Sequence, residues 1–450
     1  MTKLSRRNVL KLAAASSVLL TAGKGMVSKA LAGSIELAQG GRDFNPDTGK
    51  ERKAVPTVCY SCVTRDPKIA FVEDGRIVKI EGQPNSIRSL GKICSKGQAG
   101  INQVYFPDRI LYPLKRAGKR GDGKYKKISW DEALTELAGR MKKLRDEGHP
   151  ENLMYHYGRA KGSSDKLHKT VFMGTYGSGT ISGHTSICEG GKWVGQEFTW
   201  GSHYDNWDFD NTDYVLNFGS SVLEAHTNHI PTAQRLIKAK VERNVPFITF
   251  DVRLSYTASK STKWEPVKPG TYLAVILAMC NVIMRDNLYK REAFTYIRAT
   301  ENVNAPADEK IAALKTHLAQ YTPEWAQEIS GVPAANITKY AREFAKAKAA
   351  VVISYRGLVA HYNGTDGERA AQMLGMITGN IDNPGGRCKA ISASWKYPKG
   401  PKVKPKSKKL KITNGSLSAF PNHGECQSVL KMIKDGSHGR PDIYLWYCYN

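Results

Sequence analysis

The chain has 450 residues, of which 41% are hydrophobic and 24% charged, an ordinary globular balance with core for several domains. Its eight cysteines are too few for a disulfide scaffold at this length, so each is read by its spacing. The formal net charge of +26 favours anionic substrates, an acidic partner or phosphate groups. No nucleic-acid-binding signature stands out and the basic residues are spread along the chain, so no nucleic-acid partner is expected.

Ser5-Arg6-Arg7-Asn8-Val9-Leu10-Lys11 is a twin-arginine pattern. The apolar run Leu12 to Leu20 follows, too short to span a bilayer, and Ala30-Leu31-Ala32 offers a small-residue cleavage site. Residues 1–32 therefore read as an export signal. That route carries folded proteins, so it predicts a periplasmic location and a cofactor inserted before export. No other stretch is apolar enough to cross a membrane, so membrane contact would come through a partner. Residues 33–54 are polar and rich in Gly, Asp and Lys, which suggests a linker.

Ala70-Phe71-Val72 and Ile77-Val78-Lys79-Ile80 flank Glu73-Asp74-Gly75-Arg76, and Asp-Gly between short apolar runs predicts a hairpin. Ser129-Trp130-Asp131-Glu132 opens a helix as a capping box; Leu134, Leu137, Met141 and Leu144 line one face and Gly148 stops it. From about residue 150 to 390 the pattern becomes strand–loop–helix. Strands are expected at Asp213–Phe218, Phe247–Phe250 and Ala349–Ser354, with helices at Thr232–Glu242 and Thr271–Arg285. Such alternation implies an α/β fold with a parallel, doubly wound, Rossmann-like sheet. Residues 396–411 hold eight lysines interleaved with prolines and read as an exposed, irregular, solvated insertion. Asp442 to Asn450 looks like a strand without a following helix, so further chain is expected beyond it.

Cys59 and Cys62 are two residues apart, Asp66 follows after three more and Cys94 after a further 27. Two thiolates at that spacing reach one metal centre from a single loop, and the hairpin between Asp66 and Cys94 brings the last ligand back. The series resembles the Cys-x2-Cys-x3-Cys-x27-Cys motif of molybdenum enzymes of the dimethyl-sulfoxide-reductase family, with Asp66 standing at the third cysteine. The resemblance implies a small N-terminal iron–sulfur domain over residues 55–112 and a [4Fe–4S] cluster with an aspartate corner. A three-iron cluster or none is the alternative. Lys96, in Cys94-Ser95-Lys96-Gly97, matches the family's lysine between cluster and pterin, thought to aid electron transfer; otherwise it is a surface lysine in a turn.

Gly183-His184-Thr185-Ser186-Ile187-Cys188-Glu189-Gly190-Gly191 is similar to the family's loop that supplies the protein ligand to molybdenum, with Cys188 as that ligand. Tyr214 to His226 resembles its dinucleotide-binding segment, which would place Gly219, Ser220, Ser221 and Glu224 against a pyrophosphate, with the next helix offering N–H groups. Asp251 and Arg253 resemble the segment that recognises guanosine, and Trp264 to Thr271, with Lys268, Gly270 and Thr271, the loop after it. Thr378 to Gly386 matches a further family stretch. The implied cofactor is molybdenum (or tungsten) bis(molybdopterin guanine dinucleotide), held by α/β domains over residues 113–450. Family members run longer, so a C-terminal domain closing over the pterins is expected beyond residue 450.

The loop before Cys188 looks most like the thiosulfate, polysulfide, tetrathionate and arsenate branch; Glu189 stands where formate dehydrogenases carry His. The resemblance thus implies a periplasmic catalytic subunit reducing a sulfur, arsenic or selenium oxyanion, or polysulfide. His184 would donate a hydrogen bond or proton to the substrate, or is a structural histidine. Arg159 and Lys161 would attract an anion or hold a pterin phosphate, or are a surface turn. Expected partners are a ferredoxin-like iron–sulfur subunit and a membrane quinone-interacting anchor, or a periplasmic cytochrome. Two alternatives stay open: a metal-free electron-transfer subunit of a quinone-linked complex, and a formate-dehydrogenase-like or oxidative enzyme.

Overall fold

The structure, a computed structural model, describes residues 49–448 apart from 63, 159–166, 202–205, 389–397, 399–405 and 412–425. The export signal, nearly all of the linker, Arg159, Lys161, Asn450 and most of the lysine-rich segment lie outside the described residues. The chain divides into two compact units, Met1–Ile110 and Leu111–Asn450.

The first unit is built on an antiparallel meander of β1 (Lys53–Val58), β2 (Pro67–Glu73) and β3 (Arg76–Gly82). Asp74 (φ 48°) and Gly75 (φ 77°) both take the left-handed region, as a tight hairpin whose twist matches its strands requires. Ile69 and Phe71 are buried on one face, with Ala54 packed against them. A Cβ on Gly82 would lie 2.3 Å from the Gly91 carbonyl oxygen, so the loop after β3 folds back closely onto its end. It leads into two short helices, α1 (Ser95–Gln98) and α2 (Gly100–Val104).

The second unit starts with a hairpin of β4 (Leu114–Arg116) and β5 (Tyr125–Lys127), then α3 (Trp130–Asp146). Ser129 Oγ accepts from the Glu132 amide at 3.0 Å, which forms half of the expected capping box. Leu144 is buried and Leu137 and Met141 pack against the same cluster, but Leu134 is exposed. The cluster, built from Leu153, Tyr155, Met173 and Tyr176, meets the C-terminal half of the helix, and the first turn projects past it.

A parallel three-stranded sheet follows, ordered β12-β6-β7, from β6 (Leu153–Tyr157), β7 (Ile181–Gly183) and a strand near the end of the chain, β12 (Ile443–Tyr447). The remaining elements are α4 (Thr185–Cys188), α5 (Gly190–Trp200), β8 (Tyr214–Phe218), α6 (His229–Arg243), β9 (Phe247–Asp251), α7 (Tyr256–Lys260), β10 (Lys263–Pro266), α8 (Tyr272–Arg285), α9 (Ala307–Leu318), α10 (Pro323–Ser330), α11 (Ala334–Lys346), β11 (Ala350–Ser354), α12 (Arg356–Val359), α13 (Gly364–Ile377) and α14 (Cys426–Asp435). Four of these strands form the central sheet, ordered β10-β9-β8-β11 and parallel throughout.

Every residue of β8, β9 and β11 is buried, as a sheet covered on both faces demands. One face packs on α8, whose YLAVILAMCNVIMR sequence is apolar almost all round because α9, α10, α11 and α13 enclose it. Its single amide, Asn281, is satisfied by the Leu318 carbonyl at 2.8 Å. The other face packs Val215, Phe247, Val351 and Ile353 on Leu236 and Ala239 of α6. The expected doubly wound α/β fold is therefore present. From β8 the chain steps to β9 and β10 on one side and returns to β11 on the other. The strand order reverses between β8 and β11, and sheets of this kind bind ligands outside the carboxyl ends of the strands at such a reversal. No helix among the described residues is long and apolar enough to cross a membrane.

Candidate functional site

The loop joining β1 to β2 carries two of the expected cluster cysteines. Val58 and Pro67 are the last paired residues, and the Cys59 amide donates to the Asp66 carbonyl at 2.9 Å, so the loop closes with Cys59 facing Asp66. Both are buried, at 4% and 3% exposure, while Cys62 and Cys94 are half-buried. Cys94 stands at the start of α1, and a Cβ added to Gly97 in that helix would lie 3.4 Å from Cys59 Sγ. The two cysteine-bearing segments thus meet at a glycine that leaves space beside the Cys59 sulfur. All three cysteines are free thiols. Among the described residues no three Cys, His, Asp or Glu side chains are gathered for one shared ion. A cluster with one ligand per iron spreads its ligands wider than a single ion, and three thiols with a buried carboxyl fit that pattern. Lys96 lies on the exposed side of α1.

In the second unit the informative region is the set of loops at the carboxyl ends of β8, β9 and β11. Gly219 follows β8 with φ 63°, and Gly357 follows β11; a Cβ on Gly357 would stand 2.1 Å from the Gly219 carbonyl oxygen. The backbones of the two strand-end loops therefore touch. A Cβ on Gly219 would also meet the Tyr272 hydroxyl at 2.7 Å. Burial, with the Asp251 charge second, raises the Tyr272 phenol well above its ordinary range. Ser220 is buried and braced by Asn217, whose side chain donates to the Ser220 carbonyl at 2.9 Å and accepts from its amide at 3.3 Å.

Arg356, the first residue of α12, donates from Nη2 to Cys188 Sγ at 2.9 Å. Glu189 Oε1 stands 4.0 Å from the same sulfur. Burial lowers the Arg356 pKa, but the Cys188 hydrogen bond and the surrounding negative groups raise it overall. Tyr355, one residue before, is raised by burial and then by the Glu189 charge, and its ring lies 4.7 Å from that of His226. The guanidinium holds the Cys188 sulfur in place, and sulfur is the donor a soft, redox-active metal takes.

The other residues singled out from sequence have different surroundings. The Asp251 carboxylate, at the end of β9, accepts from Ser255 Oγ at 2.7 Å, and Ser255 in turn caps α7. Gly270 (φ 78°) leaves room for His361, whose ring would lie 3.6 Å from an added Cβ, and Thr271 Oγ1 caps the Lys268 carbonyl at 2.6 Å. Glu224 faces the exposed Arg253 at 3.8 Å. Lys268 turns toward the Glu328 carbonyl, 3.4 Å away at the end of α10. His184 sits beside His156 on β6, whose Nδ1 is hydrogen-bonded to the Tyr444 hydroxyl. Burial and then the His184 charge push the His156 pKa down to about 4.

The helix expected at Thr232–Glu242 is present as α6, His229–Arg243, but it stands away from the Gly/Ser turn. No helix starts directly behind Gly219-Ser220-Ser221. The chain makes tight turns there, with the Ala225 and His226 amides bonded to the Ser221 carbonyl, and α6 begins only at His229. Amides spent inside turns are not free for a pyrophosphate, so Ser220 and Ser221 offer less than a helix N-terminus would. Conversely, sequence reading missed Tyr355, Arg356 and Lys192. The available signal was Arg356-Gly357 directly after an apolar strand, the same strand-end position that drew attention to Asp251.

Comparison with known proteins bears on this geometry. The sequence pattern of the molybdopterin oxidoreductase Fe4S4 domain matches residues 52–106, and that of the molybdopterin oxidoreductase family matches residues 109–425. The chain is 31% identical over 379 residues to the molybdopterin-containing subunit of thiosulfate reductase from Salmonella typhimurium, covering 82% of this chain and 47% of that one. It is 28% identical over 430 residues to dimethyl sulfoxide reductase of Haemophilus influenzae, covering 88% and 52%. Against the arsenate respiratory reductase subunit of a Shewanella strain it is 29% identical over 355 residues, covering 73% and 40%. The fold matches acetylene hydratase from Pelobacter acetylenicus with a TM-score of 0.61 at 26% identity, over 74% of this chain and 44% of that one. The chain spans about half the length of the curated relatives it matches.

Proposed function

Because the chain belongs to the molybdopterin oxidoreductase family, whose Fe4S4 and molybdopterin domains carry a [4Fe–4S] cluster and a molybdopterin-bound metal, we propose that it is the metal-binding part of a periplasmic reductase for a sulfur, arsenic or selenium oxyanion, or polysulfide. The observation that carries this reading is the Arg356 guanidinium on the Cys188 sulfur, at the reversal of strand order and beside the Gly219–Gly357 contact. When bound, the molybdenum centre supplies two-electron redox chemistry.

The chain's own residues divide the remaining work. Cys188 would offer the metal its sulfur, which the Arg356 hydrogen bond holds in place. The guanidinium also places a fixed positive charge where an oxyanion would approach. His184 stands within the influence of a histidine held neutral by burial and is the proton donor in this scheme. Gly219, Ser220 and Ser221 with Asp251, Arg253 and the Lys268–Thr271 loop would hold the guanine dinucleotides. Glu224, paired with Arg253, would set that arginine's position. Cys59, Cys62, Asp66 and Cys94 would hold the cluster, with Lys96 beside it, and a ferredoxin-like subunit with a membrane quinone anchor, or a periplasmic cytochrome, would supply electrons. The Salmonella and Shewanella relatives, named for thiosulfate and arsenate, and the strongly basic chain support an anionic substrate.

The test is metal and pterin analysis of the full-length protein purified anaerobically from its native host, followed by assays with thiosulfate, tetrathionate, polysulfide and arsenate under a reduced viologen dye. Molybdenum or tungsten stoichiometric with the chain, guanine nucleotide and turnover of one of these anions are expected. Iron without molybdenum, tungsten or pterin would overturn the catalytic reading in favour of an electron-relay subunit.

A further inference from the structure

A fully buried ionic network links the segment carrying Cys188 to the segment carrying Arg356. Lys192 lies in the first turn of α5, four residues past Cys188. Its Nζ donates to the Ser354 carbonyl at 3.0 Å, to Ser354 Oγ at 2.9 Å and to Glu368 Oε1 at 3.2 Å. Ser354 is the last residue of β11, two positions before Arg356. Glu368, on α13, also accepts from Gln196 Nε2 at 2.9 Å and from Gln372 Nε2. Lys192 and Glu368 are 2% and 0% exposed, and Ser354, Gln196 and Gln372 are no more exposed than Lys192. The two helices meet closely, since a Cβ on Gly195 would stand 2.8 Å from the Glu368 Cβ.

Packing alone does not account for this set. Moving a lysine and a glutamate out of water is costly, and apolar side chains of similar volume commonly hold an interface at least as well. What a hydrogen-bonded charge pair adds is direction: it fixes two backbones in register where apolar contacts would let them slide. Here one backbone presents the sulfur and the other the guanidinium. Arg356 itself is a long, exposed side chain, free to turn elsewhere, so its aim depends on where β11 ends.

We propose that Lys192 and Glu368 are positioning residues that hold the Arg356 guanidinium on the Cys188 sulfur. They do so by tying the first turn of α5 to the end of β11 through Ser354. The inference rests on the reading of Cys188 as the metal's thiolate ligand, and the unaltered protein tests that separately: if it binds no molybdenum or tungsten, that reading fails whatever the variants do.

The experiment compares Lys192→Arg, Glu368→Gln and the charge-free pair Lys192→Met with Glu368→Met, each with and without Arg356→Ala, in the full chain. Metal content, the Mo(V) electron paramagnetic resonance signal, kcat and KM are measured. In a metal-loaded parent, the charge-free pair is expected to retain metal, to shift the Mo(V) signal as Arg356→Ala shifts it, and to lose roughly tenfold to a hundredfold in kcat with KM little changed. Lys192→Arg and Glu368→Gln, which keep donors and acceptors in place, should fall between parent and pair. In the Arg356→Ala background the pair should cost nothing further, since its effect acts through that guanidinium. An unchanged signal and kcat would overturn the proposal, as would losses that multiply with Arg356→Ala. So would metal loss in all of these network variants while Arg356→Ala keeps its metal, because the network would then serve the fold and not the arginine.

Discussion

At the scale of single residues, the site divides into what spacing reveals and what only the fold brings together. Arg356→Lys should lower kcat/KM for an anionic substrate by roughly 10²-fold, because a point charge does not replace a planar fork against sulfur and oxyanion; steady-state kinetics at fixed ionic strength would measure it. Asp66→Cys should slow the loss of iron during anaerobic dialysis, since thiolate is the softer ligand, and Asp66→Ala should hasten it; iron analysis against time decides. His156 carries a pH dependence. Folded, its pKa is about 4 beside His184 and the Tyr444 hydroxyl, against an ordinary 6.5 when unfolded. The unfolded chain therefore takes up the proton first. The stabilisation is intact above pH 6.5 and is lost as pH falls toward 4, by up to roughly 3 kcal/mol. Urea midpoints across that window should fall less steeply in His156→Gln. Cys59, Cys62 and Cys94 could be singled out in the sequence because their spacing is a local pattern, and Cys188 because its whole loop is one. Arg356 could not, because it reaches Cys188 across 168 positions and only the order of the strands makes them neighbours.

At the scale of elements, apolar runs located the central strands within a residue or so, since a strand covered on both faces has no reason to alternate. Asp213 and Ala349 fall just outside β8 and β11. The capping box placed the start of α3 because Ser129 and Glu132 act within one turn. Ser129→Ala should cost about 1 kcal/mol, visible as a lowered melting temperature. The helix expected at Thr232–Glu242 starts three residues earlier, at His229, yet still leaves the turn after Gly219 without a helix directly behind it. A Gly/Ser turn predicts the turn, whereas the start of the helix depended on where His229 could be buried, and burial is a tertiary fact. The glycine contact gives a stronger prediction. Gly357→Ala would push a methyl into the Gly219 carbonyl, with no flexible side chain to yield. The expected result is a lower melting temperature together with loss of bound guanine nucleotide, and an unchanged melting temperature would contradict the packing described here.

At the scale of the whole molecule, the excess of 67 Lys and Arg over 41 Asp and Glu acts as a field more than as a set of contacts. Raising ionic strength from about 0.01 M to 0.15 M shortens the screening length from about 30 Å to about 8 Å, so KM for an anionic substrate should rise with salt while kcat stays nearly constant. Composition announced that field at once. The pairing of β12 with β6 was hidden, because a parallel neighbour drawn from the far end of the described chain leaves no local trace.

That pairing has a consequence in time. His156 on β6 and Tyr444 on β12 are 288 positions apart. At ribosomal rates of about 5–20 residues per second, the β6 edge waits roughly 15–60 s for the strand that covers it. Throughout that interval the newborn chain presents Leu153, Met154 and Tyr155 with unsatisfied backbone beside them, the kind of surface that chaperones bind and aggregates recruit. Slowing translation between codons 160 and 440 should therefore lower the soluble yield out of proportion to the protein made, and a chaperone present during synthesis should restore it.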